Sequence, residues 1–195
     1  MNKATGKWIL GLCCAIIGLF SGCEQRNTTP PAVRQESPKI AGTIVAVGDS
    51  LTAGLGVNEA EAYPARLEQK LRSSGYPWKV INAGISGETS SGTLSRVNWV
   101  LKLHPDIVML ETGANDGLRG IDPKVTRRNM DETIRILQEN KVIVVLVGMR
   151  MTGNLGREYT DAFAANYPAL ARKHNLILVP FFFERRGWRA VLEPE

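Results

Sequence analysis

The sequence predicts an α/β fold: a parallel, doubly wound sheet of five strands, covered by helices on both faces. Three observations predict it: five short apolar runs, longer amphipathic stretches that separate them, and polar, glycine-containing loops where the first three runs stop.

Taken in order, Thr43 to Val47 (Thr-Ile-Val-Ala-Val) reads as the first strand, followed by a helix near Tyr63 to Ser73. A strand over Lys79 to Asn82, a helix near Ser91 to Lys102 and a strand over Asp106 to Glu111 come next. The following helix runs from Pro123 to Asn140. Pro123 suits its first turn, Asp122 is placed to cap it, and Val125, Met130, Ile134 and Leu137 recur at helical spacing and so belong to the core. A strand over Val142 to Val147, a helix near Glu158 to His174 and a strand over Leu176 to Phe181 complete the set. No internal repeat or low-complexity tract interrupts it.

Composition sets further bounds. Of 195 residues, 44% are hydrophobic and 22% charged, ordinary values for a soluble protein. With a leader and linker set aside, about 150 residues remain, enough for one domain with a sizeable core. The net charge of +5 includes Lys3 and Lys7 of the leader, and the basic residues form no stripe. Arg127-Arg128 reads as part of a solvated helix face, so no nucleic-acid partner is expected. All three cysteines, Cys13, Cys14 and Cys23, precede the folded body, which therefore holds no disulfide or thiolate metal site. No cofactor or metal is expected.

Residues 1–22 read as a signal peptide of the lipoprotein type. Lys3 and Lys7 precede the apolar run Trp8 to Phe20, which is short for a membrane span and has the character of a secretory core. Leu19-Phe20-Ser21-Gly22-Cys23 then resembles a bacterial lipoprotein signal, in which two small residues precede the cysteine that takes the lipid; Phe20 departs from the usual aliphatic residue at its position. The expectation is export, to the periplasm or outer membrane of a bacterium, with the membrane as a partner through a lipidated Cys23. A retained leader, or ordinary cleavage nearby, is the alternative. Residues 23–39 carry Pro30, Pro31 and Pro38 among polar residues and read as a flexible tether.

The chemistry lies in three loops. Gly48-Asp49-Ser50-Leu51 presents the Ser50 hydroxyl at the carboxyl end of the first strand, where open α/β sheets do their chemistry. Loops Asn82 to Thr89 and Glu111 to Gly120 follow the next two strands, so all three meet at one edge. A serine nucleophile needs a base to take its proton and donors to stabilise the negative oxygen of the tetrahedral intermediate. The Ser50 N–H, the Gly87 N–H and the Asn115 side-chain amide are candidates for those donors. Singly, each has an ordinary structural reading as a cap or a turn residue. Together, in order after three successive strands, they point to a hydrolase.

At these residues the sequence resembles the SGNH, or GDSL, hydrolase family. Gly-Asp-Ser-Leu at 48–51 looks like its nucleophile block, Ile-Ser-Gly-Glu-Thr at 85–89 its glycine block, and Gly-Ala-Asn-Asp-Gly-Leu-Arg-Gly at 113–120 its asparagine block. The last is similar to the bacterial branch of arylesterases, lysophospholipases and acyl-CoA thioesterases. The resemblance covers residues 43–184. It implies a flavodoxin-like three-layer α/β/α fold, Ser50 as nucleophile, Gly87 and Asn115 as oxyanion donors, and a small-molecule acyl or aryl ester or thioester as substrate. Met149, Met151 and Leu155 fall where that family has its acyl- or aryl-binding loop; they line an apolar groove or merely pack the loop on the core.

The chain departs from the family after Glu184. The family carries its catalytic Asp and His in one Asp-x-x-His block before a final helix, and no such block occurs here. His104 and His174 are the two histidines of the sequence, and both fall at the amino edge of the predicted sheet. A strand of five to six residues is roughly 17–20 Å long, so neither reaches Ser50. The domain over 40–184 is thus expected to be incomplete, its C-terminal helix missing, with 185–195 an aberrant tail and the activity crippled. Compatible codons for Arg185 to Arg189, read one base out of frame, give Gly-Val-Gly-Gly, like the loops leading into that block. A frameshifted or truncated gene product is the expectation, which the sequence of the gene locus decides.

Two rivals stand beside the hydrolase. A nucleotide-binding α/β domain would use glycine-rich loops for phosphate, but neither Gly-x-x-x-x-Gly-Lys-[Ser/Thr] nor Gly-x-Gly-x-x-Gly follows the first strand. A catalytically dead, ligand-binding lipoprotein of the same fold is the stronger rival, because the base is missing.

Overall fold

The computed structural model describes residues 40–151 and 155–181. The expected signal peptide (1–22), the expected tether with Cys23 (23–39) and the expected aberrant tail (185–195) lie outside these residues, and so does the expectation of a missing C-terminal helix. Five strands form one sheet: β1 (Gly42–Gly48), β2 (Trp78–Gly84), β3 (Ile107–Glu111), β4 (Ile143–Val147) and β5 (Ile177–Val179). All neighbours pair in parallel, in the order β2-β1-β3-β4-β5. That is the flavodoxin-like order, which reverses between β1 and β3 and so opens a crevice at their carboxyl ends.

The central strands are apolar without alternation because helices cover both faces. Val45, Val108, Leu110 and Leu146 are all fully buried. The helices are α1 (Ser50–Ala53), α2 (Tyr63–Ser73), α3 (Ser90–Ser95), α4 (Val97–Leu101), α5 (Ala114–Leu118), α6 (Pro123–Glu139) and α7 (Arg157–His174). In α6, Pro123 opens the first turn and the Asp122 carboxylate accepts from Lys124 N–H at 2.8 Å, as the sequence indicates. Met130, Ile134 and Leu137 are buried in the core, while Val125 is half-buried and Arg127 and Arg128 face solvent. From α7, Phe163 and Tyr167 join the same core, and the Tyr167 hydroxyl donates to the Thr112 carbonyl at 2.9 Å.

Three expectations are corrected. The single helix over Ser91 to Lys102 is two, α3 and α4, separated at Arg96, whose backbone (φ −106°, ψ 6°) leaves the helical path. The reason is electrostatic: Arg96 turns inward to Glu88, with Nε–Oε1 and Nη2–Oε2 both at 2.6 Å, and Nη2 also donates to the Ala83 carbonyl at 2.8 Å. The last strand spans three residues rather than six, since the chain leaves the sheet edge after Val179. Helices α1 and α5, one turn each, form inside segments that the sequence presents as loops.

Ile134 is fully buried between the sheet and its neighbouring helices, so truncation leaves a cavity. The variant Ile134→Ala is expected to lose about 2–5 kcal/mol of unfolding free energy in urea titrations, with unchanged secondary structure by circular dichroism.

Candidate active site

The serine turn is compact because of what lies beneath it. β1 ends at Gly48 and α1 begins at Ser50, so Asp49 alone connects them and caps the helix, its Oδ1 accepting from Leu51 N–H at 3.0 Å. A side chain at Gly48 would bring a Cβ within 2.1 Å of Thr52 Oγ1 and 2.3 Å of Glu111 Oε2, so only glycine lets the strand end here. As the first residue of α1, Ser50 has an N–H with no intrahelical acceptor. Its side chain is half-buried, and among the described residues its Oγ makes no hydrogen bond.

The second loop follows β2. Gly87 has φ +80°, a conformation that favours glycine, and its carbonyl accepts from Arg119 Nη2 at 2.9 Å. Asn115, one residue into α5, joins all three loops: Nδ2 donates to Asp49 Oδ2 and to the Glu88 carbonyl, each at 3.0 Å. Ser50, Gly87 and Asn115 are therefore brought to one place through their immediate neighbours. Both N–H hydrogens of the Asn115 amide already have acceptors, so any further acceptor must compete for one of them.

Asn115 is itself held from behind. The next residue, Asp116, is buried; its carboxylate accepts from Ser90 N–H at 2.7 Å, from Ser90 Oγ and from Thr126 Oγ1 at 3.2 Å, and Asn129 Nδ2 donates to Ser90 Oγ at 3.1 Å. This satisfied network fixes α5 to α3 and α6, which is how a one-turn helix keeps its orientation. The buried Glu88–Arg96 pair does the same for the glycine loop.

Sequence reasoning missed Glu111. It ends β3, is fully buried, and its Oε2 accepts from Asp49 N–H at 3.1 Å and Thr52 Oγ1 at 2.9 Å, while Oε1 has no partner among the described residues. Burial and the neighbouring Asp49 charge push its carboxyl up to about 7. Burial also raises Asp49, opposed by the hydrogen bonds its carboxylate accepts from Leu51 N–H and the Asn115 amide. The signal was present as a carboxylate closing the apolar run Ile-Val-Met-Leu of a central strand.

Neither histidine approaches this edge. His104 is exposed, in a left-handed conformation (φ 51°) before Pro105 at the amino end of β3. His174 ends α7, with Nε2 2.6 Å from Asp131 Oδ1 and Nδ1 3.2 Å from Gln138 Oε1. In the loop after β4, Met149 is buried in the core and Met151 packs so tightly on Gly117 that a Cβ there would lie 2.2 Å from its Sδ. Leu155 is exposed, over a cavity shared with Asp122, Pro123, Lys124 and Tyr159.

Comparison with known proteins agrees with this arrangement. Residues 46–195 match the model of the GDSL-like Lipase/Acylhydrolase family. The arylesterase of Vibrio mimicus is 38% identical over 154 residues, covering 78% of this chain and 75% of that protein. Thioesterase 1/protease 1/lysophospholipase L1 of Escherichia coli is 39% identical over 145 residues, covering 74% of this chain and 68% of that protein. Among solved structures, the SGNH-hydrolase family esterase AlinE4 superposes with a TM-score of 0.75 at 41% identity, covering 82% of this chain and 86% of its own. By the match to the family model and by these relatives, the chain belongs to the GDSL-like lipase/acylhydrolase family and is by family a carboxylic ester hydrolase.

Proposed function

We propose that the chain is built to hydrolyse acyl or aryl carboxylic esters, or thioesters, through Ser50. Its Oγ attacks the carbonyl carbon, and the N–H groups of Ser50 and Gly87 with the Asn115 amide stabilise the resulting oxyanion. The single observation that carries this reading is the Asn115 amide, bonded at once to the residue before Ser50 and the residue after Gly87. The substrate range follows the names of the relatives: an arylesterase, and a thioesterase that is also a lysophospholipase.

The weak point of the machine is the base. Within these 195 residues His104 is exposed at the amino end of β3 and His174 is bonded to Asp131 and Gln138, so neither imidazole is placed to take the Ser50 proton. Serine hydrolases that lose a triad member retain roughly 10³–10⁴-fold catalysis over water, from oxyanion stabilisation and binding. This chain is assigned that residual level. The same absence favours a second reading, a catalytically dead ligand-binding protein of the same fold.

Imidazole in solution separates the two readings. Added to the full chain, it is expected to accelerate p-nitrophenyl ester hydrolysis beyond its effect on Ser50→Ala, and Asn115→Ala should lower that Ser50-dependent rate by about 10²–10³-fold. Equal rates for the chain and Ser50→Ala at every imidazole concentration would leave only the binding protein.

We also propose that the chain is exported and tethered to a membrane by a lipid on Cys23. Several acyl chains would hold it more firmly than one. In bacterial fractionation the full chain should sediment with membranes and Cys23→Ala should move to the soluble fraction; identical distributions would remove the tether.

A further inference from the structure

Beneath the serine turn lie two carboxyl groups whose hydrogen-bond patterns differ. Asp49 is satisfied as an anion, since Oδ1 accepts from Leu51 N–H and Oδ2 from Asn115 Nδ2, each at 3.0 Å. Glu111 has both its donors, Asp49 N–H and Thr52 Oγ1, on Oε2, and among the described residues Oε1 meets neither a donor nor an acceptor. The group is fully buried, with the Asp49 carboxyl beside it and no cation bonded to it. A second buried anion in that place is costly, and protonation removes its charge.

We propose that Glu111 is held as a neutral carboxylic acid on the acid side of neutral pH, where an ordinary glutamate is ionised, and acts as a positioning residue. Its Oε2 anchors the Asp49–Ser50 turn through the Asp49 N–H and Thr52, and its neutrality lets Asp49 remain the anion that holds Asn115. The positioning of a nucleophile rests on the reading of Ser50 given above; the protonation of Glu111 does not.

The surroundings agree. The titratable groups facing Glu111 are Asp49 from the β1–α1 connection, Tyr63 of α2 and Tyr167 of α7, and all three are acids. Burial raises both tyrosines, Tyr63 also shares a hydrogen bond with Thr52 at 3.0 Å, and neither supplies positive charge. Burial first, and the Asp49 charge second, move Glu111 from an ordinary 4.5 to about 7. The folded state therefore binds a proton that the unfolded chain has released. The stabilisation is full below the unfolded value and is lost as pH rises through about 7. A second negative charge then appears beside Asp49, and the turn it anchors loosens.

Difference infrared spectroscopy of the full chain tests the proton directly. A protonated-carboxyl carbonyl band should persist at about pH 6, titrate near about pH 7, and be missing from Glu111→Gln. In urea, the unfolding midpoint should fall between about pH 5 and about pH 8, and Glu111→Gln, which presents a neutral acceptor and donor in the same place, should flatten that dependence. Glu111→Ala, which orphans the Asp49 N–H, should be less stable than Glu111→Gln at both pH values. Absence of the band at about pH 6, or the same pH slope in Glu111→Gln as in the parent, overturns the proposal whatever the activity. Should Glu111→Gln not fold, Asp49→Asn decides: loss of the neighbouring charge must move the titration of the band to lower pH, and an unmoved midpoint refutes the pairing. Failure of Ser50 as nucleophile would show separately, in the imidazole experiment, with the band intact.

Discussion

One side-chain amide holds the candidate site together. Asn115 donates to the Asp49 carboxylate and the Glu88 carbonyl, and so ties the loops after β1, β2 and β3 into a single surface. None of these loops has a regular element long enough to fix itself: α1 spans four residues and α5 five. Their order comes instead from polar groups buried under them, Glu111 beneath the serine turn, the Glu88–Arg96 pair beneath the glycine loop and Asp116 beneath the asparagine loop. Removing a partner from any of them leaves a polar or charged group without its hydrogen bond away from water, which is costly. The polar interior of this edge is thus structural as well as chemical.

Much of the fold was legible because burial on both sheet faces writes itself plainly as apolar runs, and helical spacing in α6 did the rest. Ile134 and Leu137 needed no tertiary information to be assigned to the core. The break at Arg96 was not legible, since nothing local forbids a continuous helix through Ser91 to Lys102. Only the distant carboxylate of Glu88 draws the guanidinium inward and bends the chain. The shortness of β5 likewise depends on pairing with β4, which no local pattern encodes.

For the site, Ser50, Gly87 and Asn115 were visible because glycine and asparagine after apolar runs have few other uses in combination. Glu111 was hidden in plain view. A glutamate closing a strand reads as the start of a solvated loop, and only the coordinates turn it back under Gly48, where the missing Cβ leaves room for it. Met149 and Met151, open to two readings in sequence, turn inward and pack, leaving Leu155 exposed.

The engagement of both Asn115 hydrogens bears on selectivity between ground and transition states. A neutral ester carbonyl is no better an acceptor than the Glu88 carbonyl it would displace, so little is gained when substrate merely docks. An oxygen bearing full negative charge is a far stronger acceptor and wins the exchange. In the proposed role, the amide would then reward the reaction's progress and not the resting complex, which is how binding energy becomes rate instead of affinity.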